Sequence, residues 1–372
     1  MDSSPPSQTS PACSSPGSSP RSILFQNGDR SVFLVDIPAS LEESQFLPGR
    51  SSAATTAGSQ RRLLSVDPIT TPFSVPEPRD PLTNNYTPAS QLADLMIEAA
   101  VRSALETLRK EYSAPFCLPR VTGGGGGNVG GGSECSKMGL QDHPACKDAA
   151  QDTAAAVTHL IPEESAYLSG SIRETREAFL STAPRFDLIV LDPPWPNKSA
   201  RRKTGGYSTV YGLKETRALL DRIPVASHLA DGGLVAIWAT LVDLLTSPRG
   251  VLAGWGLEVA AEWIWVKLTA GGEPVFDPES AWRKPWERLI VARRRGDNRK
   301  VPQRVVAAVP DVHSRKPNLR HLFQDQLPRG YLGLEVFARN LTAGWWGWGD
   351  EVLRFQELFF MLNKAPNSEY VD

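Results

Sequence analysis

Short apolar runs alternate with amphipathic stretches from about residue 158 onward. The apolar runs are rich in Val, Ile and Leu and predict β-strands: YLSGSI, FDLIVLD, GLVAIWAT, LEVAAEWIWVK, ERLIVARR, RVVAAVP and YLGLEVFA. Stretches between them have helical spacing: LKETRALLDRI, VDLLTSPRGVLAGW and PNLRHLFQDQL. Strands that alternate with helices predict an α/β sandwich around a mostly parallel sheet, here over residues 151–372.

The first 150 residues follow other patterns. Residues 1–85 are rich in Ser, Pro and Thr, which predicts a largely disordered region with the apolar islands SILFQ and SVFLVDI docked on the core. Apolar residues recur at helical spacing from Ser90 to Lys110 and predict a helical extension over 86–120. The stretch VTGGGGGNVGGGSE predicts a flexible linker or insertion over 121–150, because a cofactor-binding glycine loop needs a strand before it and a helix after it.

Composition restricts the function only weakly. The 40 Lys and Arg residues nearly balance the 41 Asp and Glu residues, but fourteen basic residues face five acids between Ala281 and Asn340. This local excess favours an anionic partner such as nucleic acid, and the alternative is a solvated basic face. No run reaches the roughly 20 apolar residues of a membrane span, and the N-terminus lacks a secretory signal, which predicts a soluble intracellular protein. Four cysteines without a C-x-x-C pair predict free thiols and no metal site.

The strand predicted at FDLIVLD ends in Asp192-Pro193-Pro194-Trp195. The prolines have no N–H, so their backbone offers only carbonyl acceptors, and an ionised Asp192 also only accepts. Acceptors beside a flat tryptophan ring suit an amino group on a planar heterocycle, as on a nucleobase. Ligands of parallel sheets bind at the carboxyl ends of strands, so we predict a site at Asp192. The alternative is a Pro-Pro turn beside a core tryptophan.

Aromatic and basic residues near this motif are candidate nucleic-acid contacts. Trp195, Tyr207 and Tyr211 are candidates for stacking on an unpaired base. Basic residues could follow the phosphates, whereas Trp263 and Trp265 are predicted to be core residues. The predicted substrate contacts are Lys198, Ser199, Arg201, Arg202, Lys203, Tyr207, Arg283, Lys284 and Trp286.

Several blocks occur in the order of a known family: DPPW, NKSARRKTGGYS, AEWIWVKLTAGGEPVF, WRKPWERLIV, VHSRKPNL and LEVFARNLTAGWWGWGDEVLRFQ. They resemble the eukaryotic N6-adenine methyltransferases, relatives of the messenger-RNA enzyme, in the branch of methyltransferase-like protein four. The resemblance covers residues 155–360. It implies a Rossmann-like methyltransferase sandwich in which the catalytic motif precedes the donor-binding motifs, a permuted order. It also implies methyl transfer from S-adenosyl-L-methionine to N6 of adenine.

The resemblance also implies roles for individual residues. Asp192 would hold the adenine amino group and lie near the donor's ammonium, and Lys316 would pair with the donor's carboxylate. Arg339 matches a ribose-side contact, and Asp350 and Glu351 match the pair that binds the donor's ribose and adenine. The implied catalytic residues are Asp192, Pro193, Pro194 and Trp195, and the implied donor site comprises Ser171, Ile172, Asp192, Lys316, Glu335, Phe337, Arg339, Asp350 and Glu351.

Three positions depart from the family pattern. Ser171 replaces an acid, Asp350 replaces an asparagine, and Thr240-Leu241 replaces a Thr-Asn-Arg block, so we expect altered donor binding and one substrate-side cation fewer.

The branch implies an enzyme that acts alone on RNA, on 2′-O-methyladenosine of small nuclear RNA in the nucleus, with DNA adenine as the alternative substrate. Two competing hypotheses are an inactive nucleic-acid-binding relative and a protein-amide methyltransferase, but the first class typically loses DPPW and the second resembles Asn-Pro-Pro at the motif.

Overall fold

The computed structural model describes residues 20–48, 60–74, 88–122, 159–196, 212–280, 283–357 and 361–364. Within these ranges the strands, in chain order, are β1 (Ile23–Gln26), β2 (Val32–Val35), β3 (Gln60–Ser65), β4 (Val121–Thr122), β5 (Ala166–Ser169), β6 (Phe186–Leu191), β7 (Leu229–Ala239), β8 (Leu257–Lys267), β9 (Trp286–Arg294), β10 (Arg304–Ala308), β11 (Gly333–Val336), β12 (Trp346–Gly349) and β13 (Met361–Lys364). The helices are α1 (Ile37–Ser44), α2 (Pro88–Glu111), α3 (Ile172–Thr182), α4 (Leu213–Asp221), α5 (Val225–His228), α6 (Val242–Thr246), α7 (Val251–Gly254) and a 3₁₀ helix (Arg320–Phe323).

A ten-stranded sheet forms the centre of the molecule, in the order β1-β2-β10-β8-β9-β7-β6-β11-β12-β5. Only β1 and β9 run against the others, since β1 is antiparallel to β2 and β9 is antiparallel to β7 and β8. The remaining neighbours are parallel, which confirms the predicted α/β class with a mostly parallel sheet. The carboxyl ends of β6, β11, β12 and β5 therefore lie side by side at one edge. A smaller sheet has the order β13-β3-β4.

Both faces of the large sheet are covered. Leu188 and Ile189 are consecutive on β6 and point to opposite faces. Leu188 shares a core cluster with Leu41 of α1 and Phe323 of the 3₁₀ helix, whereas Ile189 shares one with Phe179 of α3. The two clusters give the molecule three layers, with the sheet in the middle.

Helix α2 covers the β2–β10–β8 part of the sheet, and its span agrees with the helix predicted from Ser90 to Lys110. Its buried side chains are Ile97, Val101, Ala104, Leu105 and Leu108. Near its beginning Leu92, Leu95 and Met96 are exposed. Within the described ranges, no helix combines the length and apolar character needed to cross a membrane.

Two of the predicted helices are shorter in the structure. The stretch 242–255 forms α6 and α7 separately, because Pro248 cannot continue a helix and disfavours a helical residue before it. The stretch 317–327 contains only the 3₁₀ helix. There the buried guanidinium of Arg320 donates to the backbone carbonyls of Phe46, Ser44 and Ala343, which holds the segment in an irregular path.

Parts of residues 1–85 form regular elements, and the islands SILFQ and SVFLVDI pack with the core as expected. The apolar islands around residues 23–35 form β1 and β2 of the large sheet, and residues 37–44 form α1. Residues 60–65 form β3 of the small sheet. The sequence pattern did not predict these elements as strands and a helix, because they are short and lie in a region rich in Ser, Pro and Thr. β2 is nevertheless completely buried. The proposed division into four regions stays a prediction, and residues 123–158 with the Gly-rich stretch lie outside the described residues.

We predict that Gly333→Ala destabilises the protein by about 1–3 kcal/mol, the usual cost of overpacking a core. A β-carbon at Gly333 of β11 would overlap the buried ring of Trp345, whereas one at Gly28 would have no atom within 4 Å. Urea unfolding of both variants measures the difference. Equal unfolding free energies for Gly333→Ala and Gly28→Ala would contradict this packing.

Candidate functional site

A cavity open to solvent lies where β6 and β11 end. Its lining includes Asp192 from the end of β6, Trp238 from β7 and Glu335 from β11. Lys316 and Arg339 add two positive charges to the lining, and Phe337 adds an aromatic ring. Five predicted donor-site residues, Asp192, Lys316, Glu335, Phe337 and Arg339, therefore surround one cavity.

The DPPW segment is fixed at the strand end by its own backbone and by its tryptophan. The N–H of Asp192 donates to the carbonyl of Val336 at 3.4 Å, which extends the pairing of β6 with β11 by one residue. Pro193 is buried and Pro194 is exposed. The indole N–H of Trp195 donates to the Trp238 carbonyl at 2.8 Å, so the half-buried ring is anchored to the end of β7. A half-buried, immobilised ring is suited to stacking.

Lys316 connects two carboxylates at the cavity. Its ammonium lies 3.5 Å from Asp192 Oδ2 and 2.9 Å from Glu287 Oε2, and Glu287 Oε1 lies 2.6 Å from the ammonium of Lys267. Burial acts to raise the pKa of Glu287, but Lys316 and Lys267 outweigh it and lower that pKa to about 2. At Asp192 burial prevails and raises the pKa above its ordinary value, although Lys316 and Arg339 oppose the rise.

Glu335 is the second acid of the cavity. It lies opposite Val190 in the β6–β11 register and so faces the same side as Asp192. Burial, and then the negative charge of Asp192, raise the pKa of Glu335 to about 7, against a smaller effect of Arg339. Two acids and two cations thus share one small volume.

The turn after β11 has a left-handed residue at the cavity wall. Phe337 has φ of 61°, which is uncommon for a residue with a β-carbon. Its N–H donates to the Trp348 carbonyl at 2.7 Å, and Gly349 allows the close approach, because a β-carbon there would lie 3.0 Å from the Phe337 Cα. The turn directs Arg339 to the Ser314 carbonyl (3.3 Å) and to Glu351 Oε2 (3.1 Å).

The remaining predicted donor-site residues lie along the same edge without lining the cavity. Ser171 caps α3 by accepting from the Glu174 N–H at 3.2 Å and donating to Glu174 Oε2 at 2.7 Å. Ile172 is 3% exposed and belongs to the core. Asp350 follows β12, and burial together with Glu174 and Glu351 raises its pKa. The N–H of Gly170 donates to the Gly349 carbonyl, which brings the Ser171 and Asp350 turns together.

The predicted substrate contacts fall into two groups. Lys198, Ser199, Arg201, Arg202, Lys203, Tyr207 and Tyr211 lie outside the described residues and stay predictions. Of the other three, Arg283, Lys284 and Trp286, none lines the cavity. Trp286 and Glu287 are consecutive on β9, so they point to opposite faces, and Glu287 takes the cavity side. Lys284 lies 3.5 Å from Glu98 of α2.

The basic excess of residues 281–340 is largely used inside the protein. Acids on β8, outside the counted stretch, supply part of the compensation, which a count along the chain does not show. Its arginines form the ion pairs Arg288–Glu262, Arg293–Glu258, Arg299–Asp297, Arg304–Asp325, Arg315–Asp311 and Arg339–Glu351. These six side chains therefore have acidic partners within the protein, and an anionic partner for the basic stretch stays a prediction.

Sequence reasoning missed Glu287 and Trp238. Glu287 alternates with the buried Leu289 and Val291, and an acid in line with core positions is a signal that could have been read. Trp263 and Trp265, predicted as core, are 1% and 4% exposed. Trp265 nevertheless borders the site, since the ammonium of Lys316 lies 5.8 Å from its ring.

The donor set suits a zwitterion attached to a polar, hydroxylated group. Lys316 and Arg339 can pair with a carboxylate, and Asp192 and Glu335 can pair with an ammonium. Asp350 and Glu351 at the neighbouring strand end present acceptors for hydroxyl or amino groups. These groups fit the amino-acid part and the nucleoside part of S-adenosylmethionine.

We predict that Glu335→Gln raises stability at about pH 8 and has little effect near pH 4.5. The unfolded chain ionises this carboxyl near its ordinary pKa of 4.5, whereas the folded protein keeps its proton to about 7, so wild-type stability falls as pH rises between these values. The difference at high pH is up to about 3 kcal/mol. Thermal unfolding across this range measures it. The exposed Glu177→Gln is the control, and parallel profiles for both variants would contradict the prediction.

Comparison with known proteins agrees with this geometry. The MT-A70 family matches residues 186–351, which run from β6 to the end of the turn after β12. The N6-methyladenosine RNA methyltransferase MTA1 of Cryphonectria parasitica is 48% identical over 344 residues, covering 91% of this chain and 93% of the relative. MTA1 of Pyricularia oryzae is 46% identical over 363 residues, covering 90% of this chain and 94% of the relative.

A third relative is more distant. The N(6)-adenine-specific methyltransferase METTL4 of Mus musculus is 36% identical over 219 residues, which cover 55% of this chain and 45% of the relative. The family match and the two relatives that align over nearly their whole length lead to one conclusion: the chain belongs to the MT-A70 family.

Proposed function

We propose that this N6-adenine methyltransferase acts on RNA and holds its target adenine at Asp192-Pro193-Pro194-Trp195. The observation that carries the proposal is the position of the motif: a carboxylate and carbonyl acceptors at a strand end, beside an anchored ring, on the wall of a cavity that suits S-adenosylmethionine. MTA1 of two fungi, each aligned over more than nine-tenths of its length, is named an N6-methyladenosine RNA methyltransferase, which favours RNA.

The chain's own residues would hold the base by hydrogen bonding and stacking. Asp192 and the proline carbonyls accept from the two N–H groups of the adenine amino group, and no neighbouring backbone N–H of the prolines competes. Trp195 stacks on the ring and is held in place by Trp238. Holding the amino nitrogen in a fixed orientation is the main contribution such a site makes to the reaction rate.

The methyl donor would be held along the strand ends. Lys316 pairs with its carboxylate, Asp192 and Glu335 with its ammonium, and Asp350 and Glu351 with the nucleoside. Glu174, which is bonded to Ser171, offers a carboxylate near the position where relatives carry an acid. When bound, S-adenosylmethionine supplies an electrophilic methyl group.

The order of strands supports the proposed permutation of the motifs. β6, with the catalytic motif, comes before β11 and its Glu335–Arg339 turn in the chain, yet the two strands are neighbours in the sheet. Both halves of the site are thus built from adjacent strands that the chain visits far apart in sequence.

Finer features of the function are also part of the proposal. The resemblance to the branch of methyltransferase-like protein four favours 2′-O-methyladenosine of small nuclear RNA as the target, a monomeric enzyme and a nuclear location. A second candidate is DNA, because a relative from Caenorhabditis elegans, 33% identical over 187 residues, is named a DNA N6-methyl methyltransferase.

A tritiated S-adenosylmethionine assay on matched RNA and DNA oligonucleotides tests the substrate. Each oligonucleotide is offered with and without a 2′-O-methyl group on the target adenosine, and mass spectrometry of the digested nucleosides locates the label. We expect label on N6 of the RNA. Label on DNA alone would overturn the RNA proposal, and absence of donor binding would overturn the proposed donor site.

We predict that Asp192→Asn lowers methyl transfer by about 100-fold or more, the scale on which loss of one preorganised polar group acts. The fold should persist, because Lys316 keeps its contact with Glu287. Initial rates at saturating donor and RNA measure the loss. The matched control is Asp231→Asn, which changes an 87% exposed side chain at the opposite end of the sheet. Comparable rates for the two variants would remove Asp192 from the role.

A further inference from the structure

A buried ion pair lies at the cavity wall, where Arg315 is one of the lining residues and Asp311 is not. Asp311 and Arg315 are bonded to each other, and their side chains are 0% and 1% exposed. The Arg315 guanidinium lies 4.5 Å from the ring centroid of Phe355, which it covers. Neither residue was among the sequence-predicted site residues, and Arg315 is the immediate neighbour of Lys316.

The pair ties the loop after β10 to the N-terminal part of the chain. Arg315 Nη1 donates to the Leu64 carbonyl at 3.0 Å, and Asp311 Oδ1 accepts from the Val66 N–H at 3.1 Å. Arg120 joins the same group, since it donates to the carbonyls of Val66 (3.1 Å) and Val309 (3.0 Å). The end of β3 and the segment before β4 are therefore fastened to the loop by charged groups that have almost no contact with water.

The same loop carries Lys316 and forms a continuous part of the cavity wall, from Ser314 to Leu319. Ser314 has φ of 66°, and its carbonyl accepts from Arg339. On the other side of Lys316, the N–H of Asn318 donates to Ser40 of α1 at 3.0 Å. Only a short stretch between two anchors thus places the ammonium against Asp192 and Glu287. An anchor displaced by an ångström would displace that ammonium.

We propose that Arg315 and Asp311 are positioning residues for donor binding: they hold the loop so that Lys316 reaches the donor's carboxylate. The inference rests on the proposed function, because it takes Lys316 as a donor ligand. A buried pair of charges adds little net stability compared with apolar packing, but its geometry permits a single arrangement of the groups it joins. A fixed loop geometry is what Lys316 needs in order to reach the donor's carboxylate.

Arg315→Lys is the test, and Arg304→Lys is its matched control. Arg304 is also fully buried, pairs with Asp325 and stacks on Trp263. It lies at the amino end of β10, however, whereas the loop with Arg315 follows the carboxyl end of that strand. Lysine lacks the planar guanidinium at both positions. Binding of S-adenosylhomocysteine is measured by calorimetry, and amide hydrogen exchange of residues 312–318 is measured on the free protein.

We expect Arg315→Lys to weaken S-adenosylhomocysteine binding by about tenfold, raise the donor KM similarly and leave kcat within a small factor, with faster exchange at 312–318. Arg304→Lys should lower the melting temperature without these effects. Equal weakening in both variants, or unchanged exchange at 312–318, would overturn the proposal. If Arg315→Lys does not fold, Asp311→Asn replaces it. If the wild-type protein binds no S-adenosylhomocysteine, the proposed donor site fails, and the exchange data alone decide whether the pair holds the loop.

Discussion

The site depends on the balance of charge between cations and the carboxylates that the sheet hides from water. Asp192 and Glu335 lie on neighbouring strand ends, and a buried carboxylate is costly unless a cation compensates it. Lys316 provides that compensation for Asp192 and Glu287 at once, and Arg339 contributes from the other side. Removing this charge balance would favour protonated acids, and a protonated Asp192 no longer accepts from an amino group with both oxygens.

Much of the fold could be read from the sequence because apolar runs in a parallel sheet are continuous and easy to see. β6 and β8 are examples, since their buried residues are mostly Val, Ile, Leu and Trp. Short strands were harder. β12 was not predicted because its four residues are only Trp and Gly, and the segment of β2 was predicted as an apolar island docked on the core but not as a strand of the sheet. Their burial comes from neighbours far away in the chain, which periodicity cannot report.

For the site too, some residues could be identified from the sequence and others only from the structure. Asp192 and Lys316 could be named from motif and resemblance, because their types and order in the chain identify them. Arg315 could not, since its importance arises from its contact with a carbonyl of β3. Glu287 was missed although its alternation with core positions was a readable signal, and only the structure shows that it shares an ammonium with Asp192. Arg283, Lys284 and Trp286 were named from composition; none of them lines the cavity, and their role as substrate contacts stays a prediction. Pairing across strands, and not composition, decides which charges meet.

The position of β2 in the sheet has a consequence for shortened forms of the protein. β2 pairs along β10, and the apolar residues Val305, Val306 and Ala307 of β10 are buried beneath that pairing. A chain beginning at residue 151 would lose β1 and β2 and turn β10 into an open edge strand. Unprotected apolar edges pair with other molecules and lead to aggregation. We therefore expect the methyltransferase region to need β1 and β2 for its solubility, because these two strands cover the edge of the sheet at β10.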